Sequence, residues 1–218
     1  MAIIATLGGC DKKGSDLTPE QEMNAIMEAN SPFADAEIQM DDAMNKAVGI
    51  NVGDTWARKM IEHHRGAIAI ARQALKMNPD AHVAEMARAT IEEQTREIAE
   101  LQKLVAQGPS APASADLYQP AIDKMHQAMM AATGTSLSQT FQRKMLEHHK
   151  GAVAMADVAL AHGVTGLLRD EVVKAKTDHL KQSEAIDAML RNEARFQAEP
   201  GSATRKPANN TVSTRPSG

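Results

Sequence analysis

The chain has 218 residues, room for one domain of ordinary size or two small ones, with 43% hydrophobic residues, a net charge of −4 and a pI near 6.1. This acidic balance lacks the basic stripe of a nucleic-acid binder, and no apolar run reaches the ~20 residues of a membrane-spanning helix. Fourteen methionines, one cysteine and only five aromatic residues (Phe33, Trp56, Tyr118, Phe141 and Phe196) leave good helix formers to dominate, which disfavours a β-rich fold.

Residues 1–30 read as a signal remnant followed by a short helix. The opening MAIIATLGGC is an apolar run that closes on Leu7-Gly8-Gly9-Cys10 and meets the charged DKKGSD at once. It resembles the end of a bacterial lipoprotein signal, whose cysteine is lipidated, so Cys10 is the expected membrane anchor; the alternative is an incidental thiol. An exported protein whose only cysteine is Cys10 must hold a metal through His, Met or carboxylate. In LTPEQ, Thr18, Pro19 and Gln21 form a capping box that starts a helix running to about Glu28.

Residues 31–107 form a first helical unit. Ser31, Pro32 and Gly49 bound a short helix, and Asp54 caps a long one that stops before Asn78-Pro79. A third helix, over about 80–107, carries Val83, Ala87, Ile91, Gln94, Ile98, Leu101 and Val105 at intervals of three and four. Residues 108–116, GPSAPASAD, read as a Pro/Ala/Ser linker. The pattern then restarts over 117–199. A short helix stops near Gly134, a long one over about 138–162 ends at Gly163, and another covers about 167–198. Residues 200–218 hold one sizeable apolar residue and read as a disordered tail.

The two units are related in sequence. RKMIEHHRGAIAIA (58–71) recurs as RKMLEHHKGAVAMA (143–156), ten of fourteen positions being identical at an offset of 85 residues. Met40 matches Met125, Met44 matches Met129, and Trp56 matches Phe141 at the same offset. Neither unit can bury its apolar stripes alone, so the expected architecture is all-α. It is a four-helix bundle built from two tandem three-helix repeats about an approximate twofold axis.

On a helical wheel, Trp56, Met60, His63, His64, Ala67 and Ala71 share the apolar side, while Arg58, Glu62, Arg65 and Arg72 face solvent. Met145, His148 and His149 repeat the pattern. A lone inward histidine is more often a hydrogen-bonded core residue than a ligand, and a methionine at core spacing is usually filler. Two adjacent inward histidines repeated in a partner helix would converge four imidazoles and two thioethers in a core with few hydrogen-bond partners, which points to a metal. Gln94 and His179 occupy equivalent inward positions in the two units, from which either could orient a ligand histidine. Met40/Met44 and Met125/Met129, with His126 and Met130 beside the second pair, are either further soft ligands or seals for the bundle ends. The His-Glu-x-x-His motif is absent, as is any Glu-x-x-His; the nearest match, Asp123 to His126, occurs once. A catalytic metal centre is therefore disfavoured. His82 is expected at the surface, and His162 at a helix C-terminus.

The block Met-x-x-His-His-x-x-Ala-x-x-Met-Ala, complete from Met145 through Met155 to Ala156, resembles the exported bacterial family catalogued as domain of unknown function 305, which includes CopM-like periplasmic copper-binding proteins. Ile70 stands where the second copy has Met155. A further signature of that family, Gln-x-x-Glu-Ile, appears as Gln94 to Ile98 and is degenerate at Gln182 to Ile186. The resemblance implies a ferritin-like bundle that binds copper outside the cytoplasm, in the periplasm or another extracytoplasmic space. The expected ion is copper, Cu(I) in preference and Cu(II) as an alternative. The expected role is sequestration, storage or handover to a copper-handling partner; the rivals are a bundle-type metalloenzyme and a metal-free structural or partner-binding module.

Overall fold

The computed structural model describes residues 31–198, with side chains to Arg195. Cys10, the helix expected over 18–28 and the tail over 200–218 lie outside the described residues. Within them every regular element is a helix: α1 (Ala34–Lys46), α2 (Val52–Lys76), α3 (Ala81–Leu104), α4 (Pro112–Asp116), α5 (Gln119–Ala131), α6 (Leu137–Ala161) and α7 (Gly166–Ala198). The long helices pack as two hairpins, α2 on α3 and α6 on α7. The hairpins meet chiefly through α2 and α6, while α1 lies on α2, α5 lies on α6, and the two short helices touch. The result is a helical bundle whose core is Ala- and Met-rich, as the composition requires.

The helix starts differ from expectation in instructive ways. Asn51, not Asp54, caps α2: its extended backbone lets the side-chain oxygen accept the Asp54 N–H at 3.0 Å. Asp54 sits inside the first turn, where its carboxylate accepts the N–H groups of Ile50 (3.0 Å) and Ala106 (2.8 Å) and pairs with Arg58 at 2.9 Å. It thereby ties the end of α3 to the start of α2. Ser136 caps α6 in the same manner, accepting from Gln139. Ser31 does not cap α1; it makes a turn through its carbonyl, which accepts from Ala34 N at 3.1 Å, and Phe33 takes the cap position. Asn78 at φ 53° ends α2 and Gly163 at φ 80° ends α6, the left-handed residues that free a chain from a helix.

The stretch 108–116 is no loose connector, because Pro112 at a helix start nucleates α4. Ala111 donates to the Gly49 carbonyl at 2.8 Å, the hydroxyls of Ser114 and Thr55 are hydrogen-bonded at 2.6 Å, and Tyr118 donates to Val52 O at 2.9 Å. The connection is strapped along the beginning of α2.

Two close approaches set the position of the short helices. The Met40 side chain lies on Gly66 and the Met125 side chain lies on Gly151, so that a Cβ at either glycine would enter the methionine thioether. Two buried lysines then hold the C-terminal ends of the short helices. Lys59 Nζ donates to Met44 O and Lys144 Nζ to Met129 O, each at 2.8 Å. A cation is favourable at a helix C-terminus, where carbonyls lack intrahelical donors. Lys144 also pairs with Glu37 at 2.7 Å, both side chains being fully buried. The position equivalent to Glu37 in the second unit is Ile122, so Lys59 has no counterpart of that ion pair, and burial lowers its pKa from the ordinary lysine value.

Candidate metal centre

Where α2 crosses α6, the inward faces of the two helices bring His63, His64, His148 and His149 together, all buried. His63 and His148 meet face to face, ring centroids 3.5 Å apart and planes 22° from parallel. Each reaches past the other to the opposite backbone: His63 Nε2 bonds His148 O at 3.1 Å, and His148 Nε2 bonds His63 O at 3.2 Å. Because both nitrogens must donate, each ring carries its proton on Nε2 and turns an Nδ1 lone pair into the core. Neither Nδ1 has a hydrogen-bond partner.

His179 of α7 joins them as a fifth imidazole. Its Nδ1 lies 3.0 Å from His149 Nδ1, and its ring is within 6 Å of three others, at 5.2 Å from His149, 5.7 Å from His64 and 5.9 Å from His63. His64 Nε2 lies 3.4 Å from Glu97 Oε2 on α3. One ligand atom each from His64, Glu97 and His179 fall within 4.8 Å of one another. Buried and without a hydrogen-bond partner are Glu97 Oε2, His64 Nδ1 and the side-chain oxygens of Gln94 and Gln182.

Burial dominates the electrostatics. Desolvation, reinforced by mutual repulsion, holds His63, His64 and His149 well below the ordinary histidine pKa, and it takes His148 down to about 3 and His179 to about 4. All five are neutral at pH 7, with lone pairs available to an ion. Burial raises the Glu97 pKa, with Lys174 opposing. Two clefts between α3 and α7 reach the cluster. One of about 480 Å³ has Glu97 in its wall with charges of both signs, among them Arg96, Glu100, Lys103, Glu171 and Lys174; the other, about 140 Å³, is lined by Gln94, His149, Gln182 and Met189 among others.

Several sequence expectations meet this geometry. The four paired histidines do converge, and Glu62 and Glu147 do point away, bonding Arg65 and Lys150 on their own helices. Gln94 is buried beside His64, whereas His179, expected to orient a ligand from behind, stands within the cluster itself. Met60, Met145 and Met155 are fully buried core residues. Met40, Met44, Met125 and Met129 are buried where the short helices cross, with the Met40 and Met125 thioethers turned onto glycine. Met130 and His126 are half-buried; His126 Nδ1 lies 3.9 Å from Asp41 and outside the imidazole group. Glu97, which is not among the ligands expected from the sequence, brings a carboxylate to the imidazoles. The signal for it was present, since Glu97 follows the inward Gln94 by three residues and so shares its helix face. His82 is exposed, as expected, and contacts Met189 Sδ at 2.9 Å.

A family described as Domain of unknown function (DUF305) has a model that matches residues 6–105. No curated protein and no solved structure matches the chain.

Proposed function

We propose that the chain binds copper in this imidazole cluster and serves to sequester, store or hand over the ion rather than to catalyse a reaction. The observation that carries the reading is the donor set: five buried neutral imidazoles and one partly buried carboxylate, several of their lone pairs without a hydrogen-bond partner. Each unsatisfied buried polar atom costs about 1–3 kcal/mol, a cost that a bound ion removes. Copper fits best among first-row ions. The Irving–Williams order favours Cu(II) at nitrogen and oxygen ligands, and imidazole with thioether favours Cu(I). Cu(I) is the preferred state where Met60 and Met145 add to the imidazoles, Cu(II) where Glu97 does.

The rest of the reading follows the sequence resemblance. The fold is a ferritin-like four-helix bundle of two tandem repeats, supported by contacts that recur at 85 residues. The protein is exported, anchored through a lipid on Cys10, and delivers copper to a handling partner outside the cytoplasm. Expression behind a complete natural leader should place the protein in the membrane fraction, and Cys10→Ser should release it; identical partitioning would remove the anchor.

Competition between Cu(I) and Zn(II), read by native mass spectrometry, tests the function. Copper should win, and His64→Ala with His149→Ala should weaken its binding on the order of 10-fold or more. Glu62→Gln with Glu147→Gln should leave it unchanged. A protein that binds no copper, or one in which only the glutamate pair matters, would overturn the proposal. One observation favours a second reading: Glu97 supplies a carboxylate of the kind bundle metalloenzymes use. Turnover of dioxygen by the iron-loaded protein would establish that rival.

A further inference from the structure

The 85-residue relation makes a sharp statement about where an ion sits. Carried by that offset, His64 becomes His149 and Glu97 becomes Gln182, while His179 becomes Gln94. The group His64, Glu97 and His179 takes two residues from the first unit and one from the second. Its mirror image takes two from the second and one from the first. In the mirror, a carboxylate and an imidazole are both replaced by neutral amides.

We infer that the cluster is one-sided: a single divalent ion is held by His64, Glu97 and His179, and the related set His149, Gln94 and Gln182 is not a second site. This deepens the metal-binding reading and rests on it. The three ligand atoms already lie within 4.8 Å of one another, and Glu97 Oε2 stands 3.4 Å from His64 Nε2 with no hydrogen-bond partner. His64 is 2% exposed, so its lone pair is aimed into protein and not into water. Two imidazoles and a carboxylate form a donor set for a borderline divalent ion, Cu(II) ahead of Zn(II). The mirror set offers one imidazole and two uncharged amide oxygens, which suit no such ion.

His149 acquires a different task in this arrangement. Its Nδ1 faces His179 Nδ1 at 3.0 Å, so one of the two carries the proton and the other accepts it. When His179 donates, its Nε2 lone pair is left for the ion, and His149 fixes both tautomer and ring orientation. Ligating histidines are held in this way by a fixed acceptor on the far nitrogen. His149 is therefore a positioning residue, and the two members of the sequence repeat, His64 and His149, have separated into ligand and support. Both sets have a cleft beside them, and the two differ in size: about 480 Å³ next to Glu97, where acidic and basic side chains share the wall, and about 140 Å³ next to Gln94, His149 and Gln182.

The experiment is a titration of the full chain with Cu(II) chloride, read by native mass spectrometry for stoichiometry and by electron paramagnetic resonance for coordinated nitrogens. One bound Cu(II) with two nitrogen couplings is expected. Glu97→Gln should weaken binding 10-fold or more, and His179→Gln should reduce the couplings to one. His149→Gln should weaken binding while keeping both couplings, a result that a purely structural role in the core would not predict. Gln182→Glu alone should change nothing, whereas Gln94→His with Gln182→Glu should raise the stoichiometry to two. Two ions on the unmodified protein, or undiminished binding in Glu97→Gln, would overturn the one-sided site and leave copper binding standing. A protein that takes up neither Cu(II) nor Cu(I) would overturn both. Circular dichroism of each variant separates lost ligation from lost folding.

Discussion

The first and second units keep one kind of contact in common and differ in another. Several contacts from side chain to backbone recur at 85 residues, although that of Tyr118 to Val52 O does not, Phe33 standing at the related position. Lys59 and Lys144 hold the carbonyls of Met44 and Met129, Thr55 and Thr140 accept from Gly49 and Gly134, and His63 and His148 exchange bonds with each other's carbonyls. Buried pairs between side chains keep their positions and change their chemistry. Glu37 with Lys144 has Ile122 with Lys59 as its counterpart, and Glu97 beside His64 has Gln182 in the position related to it. A carbonyl is the same whatever residue bears it, so a contact aimed at one depends on a single side chain; a side-chain pair is lost when either partner changes. The shared contacts therefore fix the fold, and the unshared ones distinguish what each half does.

The largest effect should appear where both halves contribute to one layer, the five imidazoles. Their pKa values are depressed in the folded state, so the unfolded chain takes up protons below its ordinary histidine pKa of about 6.5 that the folded chain refuses. The stability they contribute is complete above that pH and is lost as the pH falls toward the folded values, about 4 for His179 and about 3 for His148. All five groups act in the same direction, so their contributions to the fall add. Denaturant unfolding of the metal-free protein at pH 7, 6 and 5 should show a steep fall. A flat profile would mean that the centre is hydrated and the two halves are not joined there.

Next in size is an intended asymmetry. Lys59→Met and Lys144→Met remove the same backbone contact, but only the second also deprives the Glu37 carboxylate of its ammonium. Loss of one partner from a buried pair costs about 3–5 kcal/mol, against about 1 kcal/mol for an ordinary hydrogen bond. Chemical denaturation should find Lys144→Met the worse by several-fold; equal losses would break the distinction drawn between the halves. The smallest effect should be symmetric. Gly66→Ala and Gly151→Ala each push a methyl group into a methionine, at about 1–3 kcal/mol for overpacking, offset by up to about 1 kcal/mol of helix propensity. The two variants should match in thermal midpoint, and a marked difference would show that the Met40 and Met125 contacts are not equivalent.

Much of this arrangement could be read from residues alone because periodicity and duplication are local signals. The inward set Trp56, Met60, His63 and His64 follows from 100° per residue, and the helix ends follow from Pro, Gly and Asn. What escaped was set by the chain's return. Asp54 has the right chemistry for a cap, but Asn51 lies three residues closer to the turn and Asp54 is taken by Ala106, a contact 52 residues away. Glu97 shares its face with Gln94, yet only the packing of α3 on α2 brings it to His64. Nothing local to the sequence marks Lys59 and Lys144 as buried; the carbonyls of α1 and α5 that cover them arrive only with the fold.

The stacked imidazoles of His63 and His148 occupy one position of the repeated sequence, so their contact joins a residue to its own equivalent. In an assembly of two identical chains that is an isologous contact lying on the symmetry axis, where each substitution is felt twice. Fusing the two units through the strap at residues 108–116 turns such an encounter into an intramolecular one, independent of protein concentration. It also releases each copy from its twin. A carboxylate could then stand at position 97 and an amide at 182, an inequality that no closed pair of identical chains can hold in its sequence.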